Sequence, residues 1–151
     1  MYYLGLDIGS SSIKAALVEI SSGKSIGVVQ EPETEMDMLA LKNGWAEQDP
    51  NEWWQHSCKA IAKLKSKFNI SNSEINGIGI SYQMHGLVLV DIDGNPLRKS
   101  IIWCDSRAVE TGNTAFEMLG EAKCNTQLLN SPANFTASKL SPSGWNIFHR
   151  N

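Results

Sequence analysis

Apolar and polar positions along the chain fall into short runs that predict strands first and helices later. Residues 2–8 (Tyr-Tyr-Leu-Gly-Leu-Asp-Ile) are apolar until Asp7 and read as a strand. Residues 13–20 form a second, apolar on both faces apart from Lys14 and Glu19. Ser21, Ser22 and Gly23 supply turn chemistry, and Ser25 to Gln30 complete an antiparallel β-β-β start. Residues 31–49 are irregular and acidic, with Glu31, Glu33, Glu35, Asp37, Glu47 and Asp49 against Lys42, and read as a solvated loop. A helix follows. Asp49 can cap it, Pro50 fits its first position, and Glu52 stands where a capping box needs an acid. Trp54, Cys58, Ile61 and Phe68, flanked by Trp53 and Leu64, recur near helical spacing and predict the inward face, with the helix ending at about Phe68. From Ile75 to Tyr82, Ile78, Ile80 and Tyr82 alternate with Gly77, Gly79 and Ser81, a strand with one bare face. Leu87 to Ile92 reads as a strand ended by Asp93-Gly94, and Ser100 to Trp103 as a short one. Residues 106–119 read as a helix with Val109, Phe116 and Leu119 inward and Gly120 as its stop. The order β-β-β-α-β-β-β-α is that of an α/β domain with a mixed sheet and flanking helices. No internal repeat or low-complexity segment occurs.

Composition narrows the class. At 151 residues, 42% hydrophobic and 19% charged, the chain has the length of one domain and is too apolar for intrinsic disorder. A net charge of −3 and a pI near 5.6 argue against a nucleic-acid binder, which needs a basic surface. No apolar run reaches the roughly 20 residues of a membrane helix, so no membrane partner is expected. Met1 leads straight into Tyr2, Tyr3 and Leu4 without a basic leader, so no signal peptide is expected. Cys58, Cys104 and Cys124 are odd in number and widely spaced, which fits a reduced cytoplasmic protein rather than a disulfide framework.

Three segments carry candidate chemistry. In Asp7-Ile8-Gly9-Ser10-Ser11-Ser12, a carboxylate at a strand end precedes a tight turn rich in hydroxyls. Its N–H groups and hydroxyls can donate to phosphate oxygens, and Asp7 can hold Mg²⁺ directly or through water. An ordinary Gly-Ser hairpin with an exposed Asp has the same residues, and that alternative stays open. Gln83-Met84-His85-Gly86 follows the glycine-faced strand, where α/β domains place ligands, and Gln83 and His85 both donate and accept. The competing reading has Met84 and His85 capping a core edge. In Trp103-Cys104-Asp105-Ser106-Arg107, Asp105 can accept from a sugar hydroxyl and Trp103 can pack on a sugar face; the alternative is a helix cap beside a core indole. There is neither a P-loop nor a GxGxxG run, Cys104, His56 and Cys58 make no tetrahedral metal set, and no nucleophile–base pattern is present.

Taken in order, Leu6 to Lys14, Trp45-Ala46-Glu47-Gln48-Asp49-Pro50, Gln83 to Gly86 and Trp103 to Arg107 resemble the N-terminal domain of the FGGY carbohydrate kinases. Gln83 to Gly86 and the later Asn134-Phe135-Thr136-Ala137-Ser138-Lys139-Leu140 are most similar to the xylulokinase branch. The resemblance covers about residues 2–140. It implies a ribonuclease-H-like, actin-like ATPase fold, and transfer of the ATP γ-phosphate to D-xylulose in the full-length enzyme, with ATP and Mg²⁺ as cofactors. By motif matching Asp7 is the catalytic acidic residue near Mg²⁺ and phosphate. Gly9, Ser10, Ser11, Ser12 and Lys14 make the nucleotide-phosphate turn. Gln83, Met84, His85, Trp103 and Asp105 belong to the sugar site, and Trp45 to Pro50 to scaffold beside it. The family's catalytic base and most of its adenine pocket belong to later sequence, so turnover by this chain alone is expected to be negligible. Residues 141–151 match nothing in the family, and Ser141-Pro142-Ser143-Gly144 breaks the helix expected there, which reads as a truncation, a frame slip or a fragment. Other FGGY substrates (gluconate, ribulose, fuculose, glycerol) share the first motif. A non-catalytic sugar-binding module, and a nuclease using Asp7 with Asp91 and Asp105, are the readings from other classes. A small-molecule sugar is the expected partner, with a homodimer left open.

Overall fold

A computed structural model describes residues 1–140, so the expected tail, 141–151, lies outside the described residues. The described residues form two compact units, Met1–Asp37 with Asp49–Gln83, and Met38–Gln48 with residues 84–140.

In the first unit the predicted N-terminal alternation becomes β1 (Tyr2–Ile8), β2 (Ile13–Glu19) and β3 (Ser25–Glu31), joined antiparallel by two hairpins. Gly23 makes its turn at φ +67°, where a Cβ is strained. In the second unit the short strand β4 (Glu47–Gln48) comes next. The chain then returns to the first unit as α1 (Pro50–Phe68) and β5 (Ile75–Tyr82). β5 lies parallel to β1 and gives the sheet order β3-β2-β1-β5. Three antiparallel strands followed by a parallel one reached through a helix is the arrangement of a ribonuclease-H-like, actin-like domain, as expected.

Leu4, Leu6, Ile13, Ala15, Leu17 and Val29 form the sheet's side of the core, and α1 covers them. The buried stripe of α1 is Ser57, Ala60 and Leu64, with Trp53, Ile61 and Phe68 half-buried beside it. Trp54 is 71% exposed and Cys58 is exposed, so the face is turned from the one predicted. The small residues explain the turn, because Ser57 and Ala60 let the helix approach the strands. Ser57 satisfies its hydroxyl by donating to the Trp53 carbonyl, at 2.7 Å. Phe68 fills the space over Gly27, where an added Cβ would lie 2.2 Å from the ring. Asp49 caps α1 by accepting from Asn51 N–H at 2.9 Å. A true capping box forms instead at Ser71 and Glu74, whose carboxyl is held below its ordinary value by the Ser71 N–H and hydroxyl.

The second unit is built on shorter elements. β4 pairs antiparallel with β6 (Ser100–Ile101), and single bridges from Leu39 to Glu47 and from Leu87 to Ile101 widen this ribbon. The strand predicted at Leu87 to Ile92 is absent. Only Leu87 and Val90 make bridges; the Val90–Pro96 pair is flanked by bonds from the Leu97 N–H to the Leu89 carbonyl and from the Asp91 N–H to the Asn95 carbonyl, and the chain turns at once over Asp91–Asn95. The second long helix, α2 (Val109–Leu119), starts three residues later than predicted because Ser106 and Arg107 are engaged in a turn. Gly112, not Leu119, is its buried position, and Leu119 is exposed. A Cβ on Gly112 would lie 2.2 Å from the Ala133 backbone, so the glycine lets the turn at Pro132–Asn134 sit directly on the helix. The short α3 (Glu121–Lys123) runs into a wide turn over Cys124–Leu128, and α4 (Thr136–Leu140) ends the described chain.

Candidate functional sites

In the first unit the chemistry gathers at the carboxyl ends of β1 and β5, the end of a parallel strand pair where ligands usually bind. Asp7 stands across the hairpin from Lys14, its carboxylate 3.8 Å from the ammonium, with both side chains about half exposed. The intervening turn is closed by the Gly9 N–H donating to the Ser12 carbonyl at 3.2 Å. A Cβ on Gly9 would meet that carbonyl at 3.0 Å, so glycine keeps the turn tight. Ser11 is exposed and Ser10 half-buried, whereas Ser12 is 6% exposed and directed inward. Gln83 follows β5 and its N–H donates to the Ile8 carbonyl at 3.0 Å, which sets it beside the turn. Both polar atoms of its amide are buried without a hydrogen-bond partner. An orphaned amide costs about 1–3 kcal/mol, a cost that a bound hydroxyl or phosphate oxygen would remove.

This donor set fits a magnesium–phosphate group. No cluster of three or more His, Cys, Asp or Glu able to hold a metal occurs among the described residues. Mg²⁺ needs none, since it keeps most of its waters and takes one or two carboxylates plus phosphate oxygens. Asp7 would supply the carboxylate, and the N–H groups and hydroxyls of Ser10 and Ser11 with the Lys14 ammonium would supply donors.

In the second unit the structure joins His85 and Trp103 through residues 134–139, to which the sequence reading gave no role. His85 has φ +63°, a left-handed backbone, and its imidazole stacks on Phe135 with centroids 4.6 Å apart. The Asn134 amide donates to the Trp103 carbonyl at 2.6 Å, and Thr136 Oγ1 to the Gly86 carbonyl at 3.0 Å. Met84 and Trp103 are exposed, at 60% and 49%.

Asp105 is placed differently from the expectation. It is wholly buried, and its carboxylate accepts from the N–H groups of Ala46 (2.6 Å) and Arg107 (2.9 Å) and from the Arg107 guanidinium (2.7–2.9 Å). Arg107 also pairs with Glu47 at 2.7 Å and lies over the Trp45 ring at 3.8 Å. Glu47, read from sequence as part of a solvated loop, is thus a buried carboxylate shared by Arg107 and Arg98. Nε and Nη2 of Arg107 are taken by the carboxylates, and its Nη1 is buried without a hydrogen-bond partner. The signal for this network was in the sequence, as acidic Glu47 beside apolar Trp45 and Ala46, but its cations lie about 50 and 60 residues away.

Residues 2–142 match the N-terminal domain of the FGGY family of carbohydrate kinases. A xylulose kinase of Staphylococcus epidermidis is 44% identical over 105 residues, 69% of this chain and 20% of that protein. A glycerol kinase of Listeria monocytogenes is 41% identical over 110 residues, 72% of this chain and 21% of that protein. Among solved structures, that of a xyloylose kinase from Brucella ovis superposes with a TM-score of 0.80 and 32% identity, over 99% of this chain and 31% of that one. The chain therefore spans about a fifth of the length of these curated relatives. With the sheet order, the two strand-end turns and the match over nearly every described residue in agreement, the chain belongs to the FGGY family of carbohydrate kinases, as an N-terminal domain similar to those of xylulose kinases.

Proposed function

We propose that residues 1–140 are the sugar-binding, phosphate-contacting part of an ATP-dependent kinase that converts D-xylulose to D-xylulose 5-phosphate in its full-length form. The observation that carries this reading is the presentation of Met84, His85 and Trp103 on one unit, braced by residues 134–136. An imidazole that donates and accepts, beside two exposed apolar side chains, suits a polyhydroxylated ligand with one C–H face. Asp105 acts here through Arg107: it neutralises and fixes the guanidinium, whose unpaired Nη1 can donate to a sugar hydroxyl. Gln83 serves through its unpaired amide.

Asp7 is the catalytic carboxylate of the reading, and Gly9 to Ser12 with Lys14 receive the ATP phosphates. Phosphoryl transfer asks a protein mainly for positioning and charge compensation, and Mg²⁺, when bound with the nucleotide, neutralises charge on the phosphate oxygens. Lys14 adds a positive charge 3.8 Å from Asp7, so the turn is not a purely acidic site that would repel a phosphate. Cys58 and Cys104 are exposed free thiols, which supports a reducing, cytoplasmic setting. The relatives named as xylulose kinases favour D-xylulose, and the glycerol kinase of comparable identity is the reason the sugar needs a direct test.

That test is a calorimetric titration of the chain with D-xylulose, D-gluconate, D-ribulose, L-fuculose and glycerol. Saturable binding of D-xylulose, at least about tenfold tighter than glycerol, is expected, since buried polar groups reject a ligand that leaves them unpaired. Tighter binding of any other member of the panel overturns the substrate. Loss of a general base alone costs about 10²–10⁴-fold in rate. ADP release from ATP and D-xylulose is therefore expected to stay at background for this chain.

A further inference from the structure

Lys139 has no place in the chemistry above, yet it is 0% exposed. An ammonium ion is costly to bury unless it is paired and hydrogen-bonded. Lys139 forms no ion pair within 4 Å among the described residues; its Nζ donates instead to two main-chain carbonyls, His85 O at 2.6 Å and Asn134 O at 3.1 Å. Burial pushes its ammonium below the ordinary lysine value, and the field of Asp105 partly restores it. The fold thus sets a buried charge between the His85 carbonyl and the Asn134 carbonyl.

His85 is the one residue of the sugar site with a left-handed backbone. A non-glycine residue at φ +63° costs about 1–2 kcal/mol and persists only where its surroundings hold it. The holding contacts all come from one short segment. Lys139 takes the His85 carbonyl, Thr136 takes the Gly86 carbonyl at 3.0 Å, and Phe135 lies flat against the imidazole, 14° from parallel. Fixing both carbonyls fixes the two peptide planes that follow His85, on either side of Gly86, and the stacked ring then selects the imidazole's direction.

We propose that Lys139 is a positioning residue for His85: its ammonium, with Phe135 and Thr136, locks the left-handed turn so that the imidazole meets the ligand in one orientation. This rests on the reading of His85 as a sugar contact, and the test separates the two. The full chain, labelled in its histidines, is examined by NMR without sugar, with the His85 signals assigned from His85→Gln. In the wild type the ring protons are shifted upfield by the face of Phe135. Lys139→Met keeps the length and loses the donors, and is expected to abolish most of that shift and to weaken D-xylulose binding at least tenfold. Lys139→Arg, which keeps donors, is expected to recover part of both. Unchanged amide signals in β1, β2 and β3 report an intact first unit. His85 ring signals that do not move in Lys139→Met overturn the proposal. So does a moved ring with unchanged affinity where His85→Gln abolishes binding. A moved ring in a chain whose His85→Gln binds D-xylulose as tightly as the wild type supports the lock and overturns the sugar role of His85 instead. If Lys139→Met does not fold, Thr136→Val, which loses only the donor to Gly86, takes its place, and unmoved ring signals there overturn the lock.

Discussion

The residue that departs most from its expected surroundings is Glu47. In sequence it belongs to an acidic stretch that reads as solvated; in the fold it is 5% exposed and shares Arg107 with the buried Asp105. Two buried carboxylates on one guanidinium make Arg107 the member whose loss costs most. Arg107→Met leaves Asp105 buried without its paired cation, and breaking a buried pair in this way costs about 3–5 kcal/mol. A urea denaturation of the variant is expected to find that loss, against the roughly 0.5 kcal/mol of an ordinary surface change. Asp49 was legible as a cap because capping depends on neighbours two or three residues away. Glu47, Lys139 and the bond from Ala46 to Asp105 were not, because these partners lie 51 residues or more off in sequence, or, for Asn134 beside Lys139, are main-chain atoms that composition cannot reveal. The Phe135–Lys139 segment was noticed only as a resemblance; its bracing of the His85 turn became visible with the carbonyls it holds.

Elements were legible where a period could be counted over a whole segment. β1, β2, β3, β5 and α1 fall within a residue or so of their predicted bounds. The register of α1's buried face was less legible, because large apolar residues dominated the count and Ser57 and Ala60 did not. The structure predicts that Leu64→Ala, at a fully buried site, costs about 2–5 kcal/mol, whereas Trp54→Ala costs under about 0.5 kcal/mol despite the larger residue. Parallel thermal or urea melts decide between the two faces; equal losses would restore the predicted one. Leu87 to Ile92 misled because alternation shows that a segment can pair, not over what length, and the turn at Asp91–Asn95 leaves one pair, Val90 with Pro96. The late start of α2 has a tertiary cause, since the Ser106 N–H donates to the Gly44 carbonyl and Arg107 turns back on Asp105. Residues held in that turn cannot also open a helix.

At the scale of the whole molecule, the candidate residues fall on both compact units. The unit built on the four-stranded sheet carries Asp7, the turn from Gly9 to Ser12 and Gln83; the other carries Met84, His85, Trp103 and Asp105. The sheet ends at β5, whose Ile78, Ile80 and Tyr82 are each at least 60% exposed, with no charged residue along the strand. An uncharged, apolar edge strand is a template for pairing with another chain. Light scattering is therefore expected to report a mass above the 16.6 kDa of the monomer, and Ile80→Lys to return it to monomer. A wild-type chain that stays monomeric at high concentration would remove this edge as an association surface. Fold class was legible from the order of elements, and family from four short motifs in sequence order. The division into two units was not, because residues 38–48 leave the first unit and pair with strands some 50 residues away.

The central claim is that one chain carries two separate binding functions, for a sugar and for a phosphate, on two sets of residues. An amide-resolved NMR titration tests it directly, adding D-xylulose and Mg²⁺–ATP in separate experiments. D-Xylulose is predicted to shift Gln83 to Gly86 and Trp103 to Arg107, and Mg²⁺–ATP to shift Asp7 to Lys14, each saturably. D-Xylulose that shifts neither of its segments, or Mg²⁺–ATP that leaves Asp7 to Lys14 unmoved, would contradict the account.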